Sequence, residues 1–493
     1  MVSLFSQIIN QSFKHMLIGT FIVFISSCIS TYQLPSPTVS RYFNKGSINQ
    51  AITIHEQNNL NYIPSSHDQV LYGLDMGMLN HYAGNYRLSN DFLTQAERAI
   101  ENNFTRSLSR YMSSFILDDR SLDYCGEDYE DIYLNIFKAL NYYNLNQPES
   151  AMVEIRRVNE KLILLKDKYN QVERRLNRSQ EAKKIKKRMT LPSIQFHNSA
   201  LSRYLSALFY RYEKDYDSVR IDIEHLYDAF HNQSGVYNYT MPKEIFMQYQ
   251  CLQSPFPDTC FQSSGNATVR IIAFVGQSPQ KKARTYWIIS RKNHLVVARN
   301  KNGSQQLDLI PWKGIQSGYT FKFSVPYLKR RPHSVRQIEC IIDNQRFQLS
   351  KLEDISNVAI DTFNRKKKIL YFKTFVRATL KGIAAAKIKK SIEKRQKRKR
   401  KGKPLTFGEA LWVEAQKSMV DAAMDLLEQS DLRISSFFPS QAFIGEALVK
   451  PGTHPVKILY YNRMGLSKTT VLKNQRITVD GLNLIESSFF DNK

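Results

Sequence analysis

The stretch Ile132-Tyr-Leu-Asn-Ile-Phe-Lys-Ala-Leu-Asn-Tyr-Tyr143, followed by the turn Asn146-Gln147-Pro148 and then Ala151, Ile155, Val158 and Leu162, decides how the N-terminal half folds. Ile132, Ile136, Ala139, Leu140 and Tyr143 recur at three- and four-residue steps, which puts them on one face of a helix. Asn146 and Pro148 end that helix, and the same period restarts beyond them, so the segment reads as a helical hairpin. The design recurs on both sides. Upstream, Leu71, Leu74, Met78, Leu79 and Tyr82 precede Gly84-Asn85-Tyr86, and Ser89, Phe92, Leu93, Ala96 and Ile100 follow, with small residues at the crossing. Downstream, Leu201, Tyr204, Leu205, Leu208 and Tyr212 precede Lys214-Asp215-Tyr216, and Val219, Ile223, Leu226 and Phe230 follow.

Turns at 84, 146 and 214 lie 62 and 68 residues apart, close to two tetratricopeptide periods of about 34 residues each. A hairpin buries its apolar stripe only against a neighbour, so residues 65–262 are expected to form a tetratricopeptide-like stack, with degenerate helices between the clear hairpins. Tyr86, Tyr142, Tyr143, Tyr204 and Tyr210 read as packing residues of that stack. Arg174 to Arg188 is charged and lacks a wide apolar stripe, so it is a solvent-facing helix extension or a linker.

Beyond Gly265 the pattern changes to strands at Val269–Val275, Arg284–Ile289, Tyr319–Val325 and Val335–Ile342, which make residues 265–350 a β-rich unit. Residues 351–430 return to helix, with Ile369, Phe372, Phe375, Val376, Leu380, Ile383 and Ile388 on its apolar face and a further helix near Phe407 to Leu427. Residues 431–493 alternate strands with turns at Pro451-Gly452 and Asp480-Gly481. The expected fold class is therefore α+β: an N-terminal α-helical tetratricopeptide-like solenoid, a β-rich unit, a helical segment and a small terminal β-sandwich.

At the N-terminus, Met16 to Phe24 is an apolar run closed by Ile25-Ser26-Ser27-Cys28. A small residue before a cysteine, after an apolar run shorter than the roughly 20 residues of a spanning helix, is the arrangement of a bacterial lipoprotein signal. Residues 1–27 then form the signal peptide and Cys28 carries the lipid. An ordinary signal peptide or short anchor is the alternative, and initiation at Met16 would remove the weak basic flank of Lys14 and His15. Ile29 and Ser30 after the cysteine, with no aspartate, favour outer-membrane sorting. Residues 29–64 are polar, contain Pro35 and Pro37 and show no sustained apolar period, so 28–64 reads as a lipidated tether.

The formal charge of the 493-residue chain is +26, and between Arg365 and Lys403 eighteen Lys or Arg residues face one acid, Glu393. Such a field attracts nucleic acid, anionic glycans or anionic headgroups. Lys394, Arg395, Lys397, Arg398, Lys399 and Arg400 are its densest part, and a merely solvated run is the plainer reading. Five cysteines make no disulfide framework. One bridge, Cys251 to Cys260, is plausible in an oxidising compartment, and two separate buried thiols remain open.

Motifs for catalysis are missing from the sequence. His225 and His231 are six apart and fall on different helix faces, and there is no His-Glu-x-x-His, Cys-x-x-Cys, phosphate-cradling Gly loop or Gly-x-Ser-x-Gly. The acidic cluster Asp118, Asp119, Asp123, Glu127, Asp128, Glu130 and Asp131 misses the EF-hand spacing and reads as a solvated negative start to the helix beginning near Asp131. No catalytic residue, metal or cofactor is expected.

Several spaced motifs resemble a family of bacterial lipoproteins that join a tetratricopeptide-like half to a β-containing half. They are Tyr124-Cys125-Gly126-Glu127-Asp128-Tyr129-Glu130, Ala151 to Lys161, Gly276-Gln277-Ser278-Pro279-Gln280-Lys281, Pro326-Tyr327 with Arg330-Arg331-Pro332, and Ser430-Asp431-Leu432-Arg433 with Phe438-Pro439 and Val449-Lys450-Pro451-Gly452. The chain departs from the family in the Lys-rich insertion Lys394 to Lys403 and in Ser435-Ser436-Phe437, where a tryptophan is expected. The resemblance implies a lipid-anchored envelope protein facing the periplasm that binds protein partners in its helical groove; Glu154, Arg156 and Arg157 are candidates for the contact, and pairing with the adjacent hairpins is the simpler account of them. Binding of an anionic polymer through Arg365 to Lys403 is the alternative, and nucleic acid is an unlikely partner for a lipidated protein.

Overall fold

A computed structural model of the protein describes residues 32–60, 67–113, 122–178, 196–255, 260, 265–312, 315–399, 407, 409–411, 413–418 and 430–491; for 104–113, 166, 176 and 395–399 it describes the backbone alone. The signal peptide, Cys28, Asp118, Asp119 and Arg400 lie outside these residues, as does most of the helix expected over 407–427. The described chain is mixed α and β, with a helical N-terminal part followed by largely antiparallel sheets.

Eight helices pair as four hairpins: α1 (Pro37–Asn44) with α2 (Ile48–Asn58), α3 (Gln69–Tyr82) with α4 (Tyr86–Ser113), α5 (Asp128–Asn144) with α6 (Pro148–Arg178), and α7 (Ala200–Tyr212) with α8 (Tyr216–Asn232). All four turns are the same device. Gly46, Gly84, Asn146 and Lys214 each adopt a left-handed φ between 57° and 81°, and the next residue's N–H bonds back to the carbonyl five positions earlier: Ser47 to Tyr42, Asn85 to Asn80, Gln147 to Tyr142 and Asp215 to Tyr210. This closes the orphan carbonyls of the first helix and turns the chain sharply into the second.

One expectation for this half is corrected. The tether is a hairpin from residue 37 onward: Ser36 caps α1 with Pro37 in its first turn, and Val39, Phe43 and Ala51 are fully buried. Its apolar stripe is too sparse to read as a helix by periodicity, because distant residues complete the packing. Phe437 and Phe490 lie 4.8 and 4.5 Å from Phe43, ring centre to ring centre. Much of the turn spacing is taken up by the long second helices, 28 residues in α4 and 31 in α6, and the degenerate helices expected between the hairpins would fall on 114–121 and 179–195, which lie outside the described residues.

Within α3 and α4 the helices touch backbone to backbone. A Cβ on Gly73 would sit 2.9 Å from the carbonyl oxygen of Phe92, and one on Gly77 would sit 2.6 Å from Leu93. Helices α3, α5 and α7 are buried almost all round, whereas their partners keep a solvent face. A first helix with no polar face needs cover beyond its own hairpin, and the sheets supply it.

After α9 (Lys243–Leu252) come β1 (Ala267–Gln277), β2 (Gln280–Arg291), β3 (His294–Ala298), β4 (Gln306–Pro311), β5 (Thr320–Lys329), β6 (Gln337–Ile342), β7 (Gln345–Gln348) and β8 (Ser350–Glu353). The long helix α10 (Ile355–Lys399) follows, and then β9 (Pro439–Val449), β10 (Gly452–Asn462), β11 (Gly465–Ile477) and β12 (Leu484–Phe489). The sheets run β12-β1-β9-β8, β11-β10-β6-β7 and β4-β3-β2-β5. The division into a β unit at 265–350 and a separate one at 431–493 is therefore corrected. β1 is sandwiched between β9 and β12, parallel to the latter, and β6 pairs with β10.

Alternation along β1 explains its almost unbroken apolar run. Val269, Ile271, Ala273 and Val275 share one core with Ile338, Cys340, Ile458 and Tyr460 of the second sheet, while Ile272 and Phe274 join the helical core. The central sheet is buried on both faces. The third sheet packs on α10, where Phe323 faces Tyr371 and Phe375 and a Cβ on Gly382 would meet the Phe321 ring at 2.4 Å. Cys251 and Cys260 form a disulfide with Cα atoms 5.9 Å apart.

Candidate functional site

Glu154, at the inward position of α6, joins a buried ionic cage that ties α4, α5 and α6. Lys138, fully enclosed on α5, places Nζ 2.7 Å from Glu97 and 3.0 Å from Glu154. Asn135 donates to both carboxylates, and Lys161 bridges Glu97 to Asp131. Burial pushes the Glu97 carboxyl up, but Lys161 and Lys138 outweigh it and bring it down to about 2. Arg157 reaches Glu97 from the rim at 3.3 Å, while Arg156 is exposed and takes no part. The three residues are thus separated in role: Glu154 is internal, Arg157 marginal and Arg156 outward.

Beside this cage a cleft of about 430 Å³ opens between α4, α5 and α6. Its floor is Ile100, Ile132 and Leu165, and Leu164, 64% exposed, stands at its lip. Among the described side chains seven carboxylates line it against three basic ones, in a chain whose formal charge is +26.

The acidic start of α5 is not solvated, which corrects the sequence reading. Glu127, Asp128 and Glu130 are buried, and cations come to them from remote elements. Lys281 of β2 lies 2.5 Å and Lys366 of α10 3.1 Å from Glu127, and Lys168 of α6 lies 2.7 Å from Asp128. The helix also begins at Asp128, with the Glu127 N–H donating to the Glu130 carboxylate at 2.7 Å. Sequence could show the anions but not the partners.

The inner face of the hairpins holds the segment Arg433–Phe438. Arg433 pairs with Asp68 at 2.7 Å and Asp431 at 2.9 Å, and donates to the Leu122 carbonyl. Ser435 donates its N–H to Glu130 at 2.6 Å and its hydroxyl to Asp75 at 2.7 Å, and the Ser436 N–H adds a third bond, 2.8 Å to Asp75. Tyr32 completes the Asp75 shell at 2.6 Å while facing His55 Nε2 at 2.7 Å. Because the Tyr32 hydroxyl proton goes to Asp75, His55 is the donor in the second contact and is neutral; burial brings it down to about 4. Arg331, on the far side, donates to the carbonyls of Ser278 and Ser436.

His81 of α3 clamps the last strand. Asn141 spends its amide on Ser89 and Asn90, both 2.8 Å away, so its oxygen faces His81 Nδ1 at 2.7 Å, while Nε2 meets Glu486 at 2.7 Å. Two acceptors require two N–H groups, so the ring is an imidazolium. Burial opposes that charge, and Glu486 more than offsets it.

Burial raises Asp75 from 3.8 to about 6, and burial together with Glu127 raises Glu130 from 4.5 to about 7. Both folded values exceed the unfolded ones, so the stability they contribute is complete below about pH 4 and is lost as pH rises to about 7. His81 acts in the same direction, His55 opposes it between about pH 4 and 6.5, and Glu97 matters only on acidification below about pH 4.5. Glu130→Gln is expected to shrink the loss of unfolding free energy between pH 5 and 7.5 by about 2–3 kcal/mol, read from urea titrations at both values. An unchanged loss would remove Glu130 from the titration.

Chemically these charged groups pair with one another, while His55 Nδ1, Asn135 Oδ1 and Glu486 Oε2 are buried without a hydrogen-bond partner among the described residues. Among the described residues no cluster of three His, Cys, Asp or Glu side chains is arranged to hold a metal. Burial pushes the Cys340 thiol up to about 12, which makes it a poor nucleophile. On α10, Arg365, Lys373 and Arg377 are buried, with Arg365 donating to Asn170 of α6, while Lys366 and Lys367 are half-buried and Lys368 is exposed, so the first half of the basic run is only partly internal. Lys394 is exposed; Arg395, Lys397, Arg398 and Lys399 continue the helical backbone, and their side chains lie outside the described residues. Sequence reading missed Asp75, Ser435 and Arg433 as a unit, although a lone acid on the apolar helix Leu71–Leu79 was a usable signal.

No family model matches the chain, and neither the curated proteins nor the solved structures contain a match.

Proposed function

We propose that the protein is a lipid-anchored adaptor of the bacterial cell envelope, held in the outer membrane by Cys28 and facing the periplasm, and that its partners are envelope proteins bound by the helical half rather than substrates turned over. The acidic cleft between α4 and α6 carries this reading. Apolar floor, exposed Leu164 and a surplus of carboxylates fit a basic amphipathic segment of a partner. The groove expected to hold that partner, the inner face of α3 and α5, is occupied by Arg433–Phe438, so the partner site belongs on the cleft side. The disulfide Cys251–Cys260 supports an oxidising compartment. We further propose that the hairpins stack as a tetratricopeptide-like solenoid, that the two sheets sharing the β1 core form a sandwich, and that the family resemblance reflects this plan. Binding of anionic polymers or headgroups would have to avoid the buried Arg365, Lys373 and Arg377 and use the exposed lysines of α10, Lys368, Lys387, Lys390 and Lys394.

Two measurements test the proposal. Intact mass of the membrane fraction should show a species beginning at acylated Cys28, lost in Cys28→Ala; an unprocessed soluble chain would overturn the anchor. A photo-crosslinking residue at Leu164 should capture a partner through a Lys- or Arg-rich peptide, and Glu160→Lys with Asp167→Lys should abolish the capture. Crosslinks indifferent to the charge reversal would overturn the cleft.

A further inference from the structure

A second cavity, of about 280 Å³, lies between the α7–α8 turn and the edge of the central sheet. Its origin is a residue that breaks the pattern of β1. Arg270 is the only charge within Val269–Val275, it is 4% exposed, and the alternation of the strand points it at the helices with Thr268. Its register partner on β9 is Glu446, whose Oε1 stands 3.6 Å from Nε and accepts the Tyr204 hydroxyl at 2.9 Å. One guanidinium nitrogen donates to the Leu482 carbonyl at 3.1 Å, but the buried Nε makes no hydrogen bond. An enclosed guanidinium with an unused donor is costly unless an acceptor arrives.

Two more cations converge on the same space. Arg211 comes from the last turn of α7, and Lys214 is the left-handed residue of the hairpin turn. Burial and the nearby Arg270 both work against the Arg211 charge and outweigh Glu446 and Tyr216, which favour it, so the two guanidinium groups repel across the cavity. Asp480 is the single carboxylate in the wall, and Glu244, which burial and Glu446 raise, stands behind Glu446. Leu208, Leu448 and Leu482 supply apolar walls, and Tyr212 and Tyr216 stand exposed at the mouth.

We propose that this cavity binds a small organic anion, a carboxylate or phosphate monoester on a compact apolar body, with the anionic group between Arg270 and Arg211 and the body against Leu208 and Leu448. The forked guanidinium matches either oxyanion. Binding would give the Arg270 Nε its acceptor and relieve the repulsion between the arginines. The site is independent of the cleft and does not rest on the adaptor reading.

The test is isothermal titration of the full-length protein with phenyl phosphate, benzoate, inorganic phosphate and neutral benzamide. One-to-one binding of phenyl phosphate or benzoate, weakened by added salt, is expected, with benzamide silent; which anion binds more tightly identifies the oxyanion. Inorganic phosphate alone binding would overturn the apolar part of the site. Arg270→Gln is expected to abolish binding, but it alters the core. Arg211→Gln, half-exposed, and Lys214→Asn, which tolerates the left-handed backbone, serve as folded controls and should each weaken binding about tenfold. Absence of saturable binding to the folded wild type, equal binding of benzamide, or titrations unchanged in both controls would each overturn the proposal.

Discussion

Glu353→Ala is expected to lower the unfolding free energy by about 3–5 kcal/mol, read as a fall in the urea midpoint with an unchanged slope. Glu353 ends β8, is fully buried, and is the acceptor on which two helices and the segment after α8 converge. It accepts the Tyr133 hydroxyl from α5, the Ser199 hydroxyl at 3.0 Å and the Leu201 N–H at 2.7 Å from the start of α7, and the Tyr237 hydroxyl at 3.1 Å from beyond α8. Burial raises its carboxyl, and the donors only partly offset that. Alanine removes a buried acidic group, which by itself is favourable, yet strands the Tyr133, Ser199 and Leu201 donors in a buried junction, with only Tyr237 keeping another acceptor, the Asn198 carbonyl at 3.3 Å, and the second effect is larger. Glu353→Gln keeps the oxygen for some of these donors while turning an amide toward others, so it should fall between wild type and alanine. A midpoint shift for Glu353→Ala within about 0.5 kcal/mol of zero, the range of ordinary surface changes, would show that the sheets are not fastened to the helices here.

Phe437→Ala is expected to cost a further independent 3–5 kcal/mol or so. The ring is fully buried, 4.8 Å from Phe43 and 6.3 Å from His55, and the Tyr82 hydroxyl reaches its carbonyl at 3.2 Å. Phe43 is itself packed by Phe490 and Tyr82, and His55 by Tyr32, so the rings that wall the cavity left by Phe437 are held in place and resist collapsing into it. Leu164→Ala, at the exposed cleft lip, removes a side chain of comparable hydrophobicity and should change stability by less than about 0.5 kcal/mol. Equal effects at the two positions would contradict the packing described for Arg433–Phe438.

How much of this was legible follows from where each residue finds its partner. The hairpins at 84, 146 and 214 could be read because their apolar period and turn residues are local. The hairpin at Gly46 carries the same turn, but its Phe43 is packed by Phe437 and Phe490, 394 and 447 residues further along the chain, and no period records that. Strand positions were readable from β-branched runs; their pairing was not, since β1 joins β9 and β12 across the whole of α10. Glu127, Asp128 and Glu130 looked solvated because a sequence shows three acids in a row and cannot show Lys281, Lys366 and Lys168 closing on them. Arg270 was visible as an interruption in an apolar strand, and its meaning came only with burial on both faces of the sheet. The motif Asp431-Leu432-Arg433 with Phe438-Pro439 was noticed through resemblance, and its physical reason is that it threads the junction of helices and sheets.

The account rests on that junction being closed: Arg433–Phe438 fills the inner face of the hairpins, and partners must bind elsewhere. Hydrogen exchange of the full-length protein tests this directly through the amides of Ser435 and Ser436, which donate to Glu130 and Asp75. They should exchange as slowly as the central amides of α3 and α5, opening only with global unfolding. Exchange of these two amides within seconds, while α3 and α5 stay protected, would mean that the segment leaves the groove in the native state, and the inner face would again be the place to look for a partner.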